Sequence, residues 1–240
     1  MFTCSASTSS LSIASGTFTE NKAYYDGGVV YLNNDVTAKA TISGGTFTSN
    51  VGGRSGSAFS CRTSSTLTIS GSPTITDNTS GTITSNSYGA AISACGDNVG
   101  TINISGTPTI KNNTNYTSSS TSVIANIYVV TSSNLVLGSL GTSAYVGVYP
   151  KTLYSSGNTF ATCSSGATNL DKVVNDKATS LVGSASGTNV VWTALDAAIT
   201  VSFDSGNYWY YYATAAEGWS AAISSGGSST TPVKVKLLKN

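Results

Sequence analysis

Leu11-Ser-Ile13-Ala-Ser-Gly16-Thr-Phe18-Thr-Glu-Asn21 is the stretch that decides the fold, because it returns three more times. Its later copies are Ala40-Thr-Ile42-Ser-Gly-Gly45-Thr-Phe47-Thr-Ser-Asn50, Leu67-Thr-Ile69-Ser-Gly71-Ser-Pro73-Thr-Ile75-Thr-Asp-Asn78 and Ile102-Asn-Ile104-Ser-Gly106-Thr-Pro108-Thr-Ile110-Lys-Asn-Asn113. Self-similarity of this kind outranks local propensity as a guide to architecture. Within a copy, Leu11/Ile13, Leu67/Ile69 and Ile102/Ile104 alternate with Ser, Thr or Asn, so the aliphatic residues share one face of a strand. A glycine then breaks the strand, and a second short strand centres on Phe18, Phe47, Ile75 or Ile110. A third comes from a later apolar segment: Gly28-Val-Val-Tyr-Leu32, Gly56-Ser-Ala-Phe-Ser60, Gly89-Ala-Ala-Ile-Ser93 and the looser Val123-Ile-Ala-Asn-Ile-Tyr128. Equivalent Asn residues lie about 29, 28 and 35 positions apart, inside the range of roughly 20 to 50 for structural repeats. A single coil cannot bury its own apolar face, whereas coils stacked in parallel about 4.8 Å apart bury like position upon like position. The chain up to about Gly147 is therefore expected to be an all-β, right-handed parallel β-helix with three strands per coil.

The repeated Asn21, Asn50, Asn78 and Asn113 fit the left-handed turn after the second strand, and their amides could also hydrogen-bond from coil to coil. Gly16, Gly45, Gly71 and Gly106 read as turn glycines rather than a phosphate cradle, since no helix follows them.

Composition agrees with a solenoid. Charged residues make up 9% of the chain, well under the roughly 25% of ordinary globular proteins. A net charge of +1 without a charge run leaves no electrostatic footprint for nucleic acid or an anionic membrane. The chain has no histidine, which removes the usual base of Ser and Cys nucleophiles and the commonest metal ligand. No cofactor and no metal site are expected. No apolar run reaches the 18 residues of a membrane-spanning helix, and Met1-Phe2-Thr3-Cys4 lacks signal-peptide character.

Phe18-Thr-Glu-Asn21 and Phe47-Thr-Ser-Asn50, with Gly27-Gly28-Val29-Val30, resemble the repeats of bacterial polymorphic outer membrane proteins and related β-helical surface proteins. The resemblance covers about residues 1–130 and implies cell-surface or secreted display and adhesion. The chain departs from the pattern at Ile75 and Ile110, which replace Phe, and no membrane β-barrel follows. Phe2-Thr-Cys4 lines up with Phe59-Ser-Cys61, so Met1 is expected to begin partway through a coil of a longer protein.

That alignment puts Cys4 and Cys61 two coils apart, about 10 Å, which is too far for a disulfide. Cys61 and Cys95 would lie on adjacent coils with Cys95 one residue out of register; buried free thiols are the preferred reading. Past about Thr152 the repeat dissolves, and the stretch through Val190-Val-Trp192 is expected to cover the end of the solenoid. Asp171 and Asp176 lie in a region that lacks the D-x-D-x-D-G pattern of a Ca²⁺ loop and read as a solvated turn. Residues 1–196 then form the solenoid. Residues 197–240 form a small α+β module in ββαβ order: Ile199-Thr-Val-Ser-Phe203, Tyr208-Trp-Tyr-Tyr-Tyr212, a helix opened by the capping box Thr214-Ala-Ala-Glu217, and Val233-Lys-Val-Lys-Leu-Leu238.

Function is less legible. The expected activity is non-catalytic adhesion or display by a monomeric surface protein, whose variable loops (22–26, 51–55, 79–88 and 115–122) meet a host or matrix glycan or protein. Tyr24 and Tyr25 are the best exposed contacts. Tyr208 and Tyr210 are candidates for a sugar-stacking platform, against the plainer expectation that this cluster packs between the helix bearing Trp219 and the solenoid end. Two alternatives stand beside this. Parallel β-helices host polysaccharide lyases and hydrolases, and Glu20 and Asp77 are the nearest approach to the carboxylate pair that hydrolysis needs. Thr17/Thr19, Thr46/Thr48 and Thr74/Thr76 could stack into a flat ice-binding array, a reading opposed by the break in pitch to 35.

Overall fold

A computed structural model describes residues 1–4, 9–33, 37–81, 90–93, 100–118, 121–195, 199–203, 210–212, 215–225 and 233–237. The repeats form a parallel β-solenoid of about five turns. The apolar alternation sets one ladder of strands: Ser10–Ile13, Lys39–Ile42, Thr66–Ile69, Thr101–Gly106, Leu135–Leu140 and Thr159–Cys163. Leu11 pairs with Ala40, Leu67 and Ile102 in turn, and Ile13 with Ile42, Ile69 and Ile104. The next ladder runs through Thr17–Thr19, Thr46–Thr48, Thr74–Thr76, Thr109–Lys111, Tyr145–Pro150 and Val173–Asn175. Here Phe18, Phe47, Ile75, Ile110, Val146 and Val173 lie in register, and the Phe18 and Phe47 rings stack at 4.8 Å, 3° from parallel. The Phe-to-Ile departures therefore occupy the same inward position. The apolar segments make a further ladder of Phe2–Cys4, Val30–Leu32, Phe59–Cys61 and Ile92–Ser93. Cys4, Leu32 and Cys61 are stacked neighbours there.

Each early coil also carries a two- or three-residue strand directly after its Asn, in the order Lys22–Ala23, Val51–Gly52, Thr79–Ser80 and Thr114–Tyr116. Elements this short leave no periodicity to read. The long third-to-fourth spacing does not disturb the stack, because Leu67 still faces Ile102 and Ile75 faces Ile110. The additional residues fall between Ser80 and Ile92 and between Ser93 and Thr101 in the sequence. Parallel pairing continues through Leu135–Leu140, with a shift in register between Ile104 and Gly106. Leu135 and Leu137 retain the inward alternation after the Gly and Asn punctuation is lost, and both are fully buried.

The Asn residues do not themselves take the left-handed turn. That conformation belongs to the residue before each of them, Glu20, Ser49, Asp77 and Asn112, at φ of 56–57°. The turn frees the Asn side chain to point inward, where Asn50, Asn78 and Asn113 are fully buried. Asn21 Nδ2 donates to Asn50 Oδ1 (2.9 Å), Asn50 to Asn78 (2.9 Å) and Asn78 to Asn113 (2.8 Å). Then the ladder leaves the repeat. Ser122–Ile124 turns back antiparallel to Thr114–Tyr116, bringing Asn126 Oδ1 to Asn113 Nδ2 (2.8 Å). Asn126 donates its backbone N–H and its Nδ2 to the two carboxylate oxygens of Asp176, each at 2.8 Å. Gly147 makes room: a Cβ there would stand 2.2 Å from Asn126 Nδ2 and 2.7 Å from Asp176 Oδ1. Asp176 is therefore a buried terminus of a polar ladder, not a residue of a solvated turn.

The hairpin Leu181–Ser186/Asn189–Ala194 closes the C-terminal end. Its second strand pairs antiparallel with Thr159–Cys163 and its first with Val173–Asn175, so one hairpin joins two ladders into a 15-stranded sheet. Trp192 seals the core, fully buried, with its ring stacked on Phe160 and its Nε1 donating to the Leu153 carbonyl at 2.6 Å. Beyond it, Ile199–Ser202 lies between Tyr210–Tyr212 and Lys234–Leu237 in an antiparallel sheet, with the helix α1, Ala215–Ser225, packed on it.

Candidate functional site

Cys4, Cys61 and Cys163 are buried free thiols; burial pushes the Cys61 thiol up to about 11, beyond the range in which it would react readily. Cys95 lies outside the described residues. Among the described residues no group of three or more His, Cys, Asp or Glu could hold a metal ion, and no helix is long and apolar enough to cross a membrane.

The first candidate site grows from Tyr24-Tyr25-Asp26-Gly27. Gly27 takes φ of 70°, and Gly56 takes 60° at the same place one coil on; between these turns Asp26 bridges Ser55. Tyr24 and Tyr25 are 67% and 59% exposed, with their rings edge to face at 4.7 Å. The Arg54 guanidinium lies 5.5 Å from the Tyr25 ring centroid. Its orientation is fixed from below by the buried Asp26: Arg54 Nε donates to Oδ1 at 3.0 Å and Nη2 donates to Oδ2. Ser55 Oγ donates to Oδ1 at 2.8 Å, and Arg62 Nη1 stands 3.8 Å from Oδ2. A buried carboxylate thus serves as an anchor, and Arg54 is held beside an aromatic face. Tyr24, Tyr25, Tyr31, Arg54 and Met1 line a hollow of about 360 Å³. Sequence reading found the two tyrosines and missed Asp26 and Arg54. The signal was there, since Arg54 occupies the place one coil after Tyr25.

Tyr210, the second candidate, lies on the flank of the solenoid. Its hydroxyl donates to Asn112 Oδ1 at 2.7 Å, and its ring lies 5.4 Å from that of Phe203. The solenoid end, where it was expected to pack, is taken by the Trp192 hairpin, and Trp219 is 57% exposed. Tyr208 lies outside the described residues. Between the flank and the C-terminal strands is a cavity of about 310 Å³, walled by Tyr145, Lys111 and Asn112 on one side and by Phe203, Tyr210 and Tyr212 on the other. Burial, then the nearby Asp176, Tyr210 and Tyr212, raise the Tyr145 phenol well above its usual value, so it remains a hydrogen-bond donor.

Glu20 and Asp77 occupy matching left-handed positions two coils apart with Ser49 between them, about 10 Å by the coil spacing. Both are exposed on the flank. The Thr rows are continuous: Thr17, Thr46, Thr74 and Thr109 face one another, as do Thr19, Thr48 and Thr76.

These features define a parallel β-solenoid repeat protein, sealed at one end by a β-hairpin and carrying an anchored Tyr–Arg edge. Comparison with family models, curated proteins and solved structures gives no match to this chain.

Proposed function

We propose that the chain is a non-catalytic display module of a cell-surface or secreted protein, holding the Tyr24–Tyr25–Arg54 edge against a host or matrix glycan. The Arg54–Asp26 clamp carries this reading. A buried carboxylate binds Arg54 through two hydrogen bonds and accepts a third from Ser55, an investment in orienting surface rings that the core itself does not need. Exposed tyrosines offer rigid stacking area at little cost in side-chain entropy. A polysaccharide-active enzyme is the weaker reading, since Glu20 and Asp77 project from an open flank with about twice the carboxyl separation of a retaining pair and at or beyond the wide limit of an inverting one. The test is binding to immobilised glycans and matrix proteins. Wild type is expected to bind a glycan, and Tyr24→Ala/Tyr25→Ala to lose about tenfold or more in affinity. Retention solely on matrix proteins, or turnover of any polysaccharide, would overturn it.

A second reading rests on the Thr rows. Against the objection from uneven spacing, Thr17, Thr46, Thr74 and Thr109 stay in register across four coils and Thr19, Thr48 and Thr76 across three, before Lys111 takes the place. If that face orders water into an ice-like lattice, the protein will show thermal hysteresis, and Thr46→Lys/Thr74→Lys will abolish it. Freezing without hysteresis or ice shaping removes this reading.

A further inference from the structure

The cavity beside Tyr210 adjoins a second hollow of about 340 Å³ that shares Lys111, Tyr145, Val174, Leu195 and Tyr212 with it. Their five shared lining residues set the two hollows side by side, a cleft between the solenoid flank and the C-terminal strands. The inner part is at the low end of the roughly 300–1,000 Å³ typical of small-molecule sites. Its two walls are aromatic and belong to different elements: Tyr145 stands on the Tyr145–Pro150 strand, and Phe203, Tyr210 and Tyr212 stand opposite. The Tyr210–Asn112 hydrogen bond ties the walls together. Polar groups sit among the rings, namely the Lys111 ammonium, 6.0 Å from the Tyr145 centroid, and the Thr179 side chain. The outer part adds Asp171 and Lys172, paired at 3.3 Å, together with Glu217.

This arrangement has a specific chemistry. Flat rings on both sides suit a flat, weakly polar face, and interspersed donors suit hydroxyls around its rim. Two adjoining hollows give room for more than one ring, and charges of both signs along them disfavour a highly charged ligand. We propose that this cleft binds a neutral oligosaccharide, with one pyranose ring between Tyr145 and the Phe203–Tyr210–Tyr212 wall and further rings running past Lys172 and Glu217. The site is separate from the Tyr24–Tyr25 edge and does not depend on it.

Titration calorimetry of the full chain tests this with cellohexaose, β-1,4-mannohexaose, laminarihexaose and maltohexaose, and with hexagalacturonate as the charged comparator. At least one neutral hexamer is expected to bind. Tyr212→Ala should weaken it about tenfold, while Tyr212→Phe, which keeps the ring, stays close to wild type. Ala221→Trp, which fills the cavity from the helix side without removing any wall, should abolish binding and guards against a merely unfolded Tyr212→Ala. Tyr24→Ala/Tyr25→Ala should change nothing in this titration, so failure of the edge reading and failure of the cleft are told apart. The proposal is overturned if no neutral hexamer binds at about 1 mM, if only hexagalacturonate binds, if Ala221→Trp binds normally, or if the Tyr24/Tyr25 variant loses the signal.

Discussion

Asn78→Ala is expected to destabilise the protein by about 3–5 kcal/mol, as much as truncating a large core side chain. Asn78 Oδ1 accepts from both the backbone N–H (3.0 Å) and the Nδ2 (2.9 Å) of Asn50, and its own Nδ2 donates to Asn113 Oδ1 and to the carbonyls of Phe47 and Thr76. Alanine removes all of these at once. It strands two donors of Asn50 where water cannot replace the lost acceptor, each at about 1–3 kcal/mol. Asn78→Asp should fare little better, because a carboxylate accepts from Asn50 but has nothing to give Asn113. Urea unfolding provides the measurement, with exposed Thr41→Ala as the control, expected within about 0.5 kcal/mol of wild type. A midpoint for Asn78→Ala close to that of the control would mean the ladder is decorative.

The second large effect is a dependence on pH. Burial pushes the Asp176 carboxyl up to about 7, against the two hydrogen bonds from Asn126 that pull it down. The unfolded carboxyl titrates near 3.8, so between these values the folded chain holds a proton that the unfolded chain has released. The resulting stabilisation is complete below about pH 4 and is lost as pH rises through about 7. The gap between the two values corresponds to about 4 kcal/mol. The groups around it do not reverse the sign. Tyr145 and Tyr149 are raised phenols that stay neutral in this window, and Lys177 donates to the Lys151 carbonyl while lying over the rings of Tyr149 and Tyr154. Asp176→Asn should therefore gain on wild type as pH is raised from about 4.5 to about 8.5. Parallel stability curves for the two proteins across that range would sink the assignment.

What could be read from the residues followed their recurrence. Four copies of one motif put Leu67 on Ile102 and Phe47 on Ile75, gave the turn glycines, and placed Cys4 two coils from Cys61. Recurrence was silent wherever the chain does something once. Asn126 follows Asn113 by 13 residues, and Asp176 follows Asn126 by 50; neither interval is a coil, so the last two rungs of the ladder are visible only when the chain is folded. The same applies to Asp26 beneath Arg54, which the sequence places only at the end of a variable loop and which anchors the exposed edge. The 35-residue spacing misled in the opposite sense, because the strands on either side of the longer interval keep their register.

The direction of the ladder has an electrical consequence. In all five links the amide of the earlier residue donates and the later residue accepts, so the side-chain dipoles add instead of cancelling. The column behaves like a short helix lying inside a β-protein, with its positive end toward the hairpin. The group set at that end is a carboxylate, as an acidic residue is at the start of a helix. An amide of reversed sense anywhere along the column would meet oxygen with oxygen at one neighbour and nitrogen with nitrogen at the other. The ladder therefore gives the stack a polarity as well as a register.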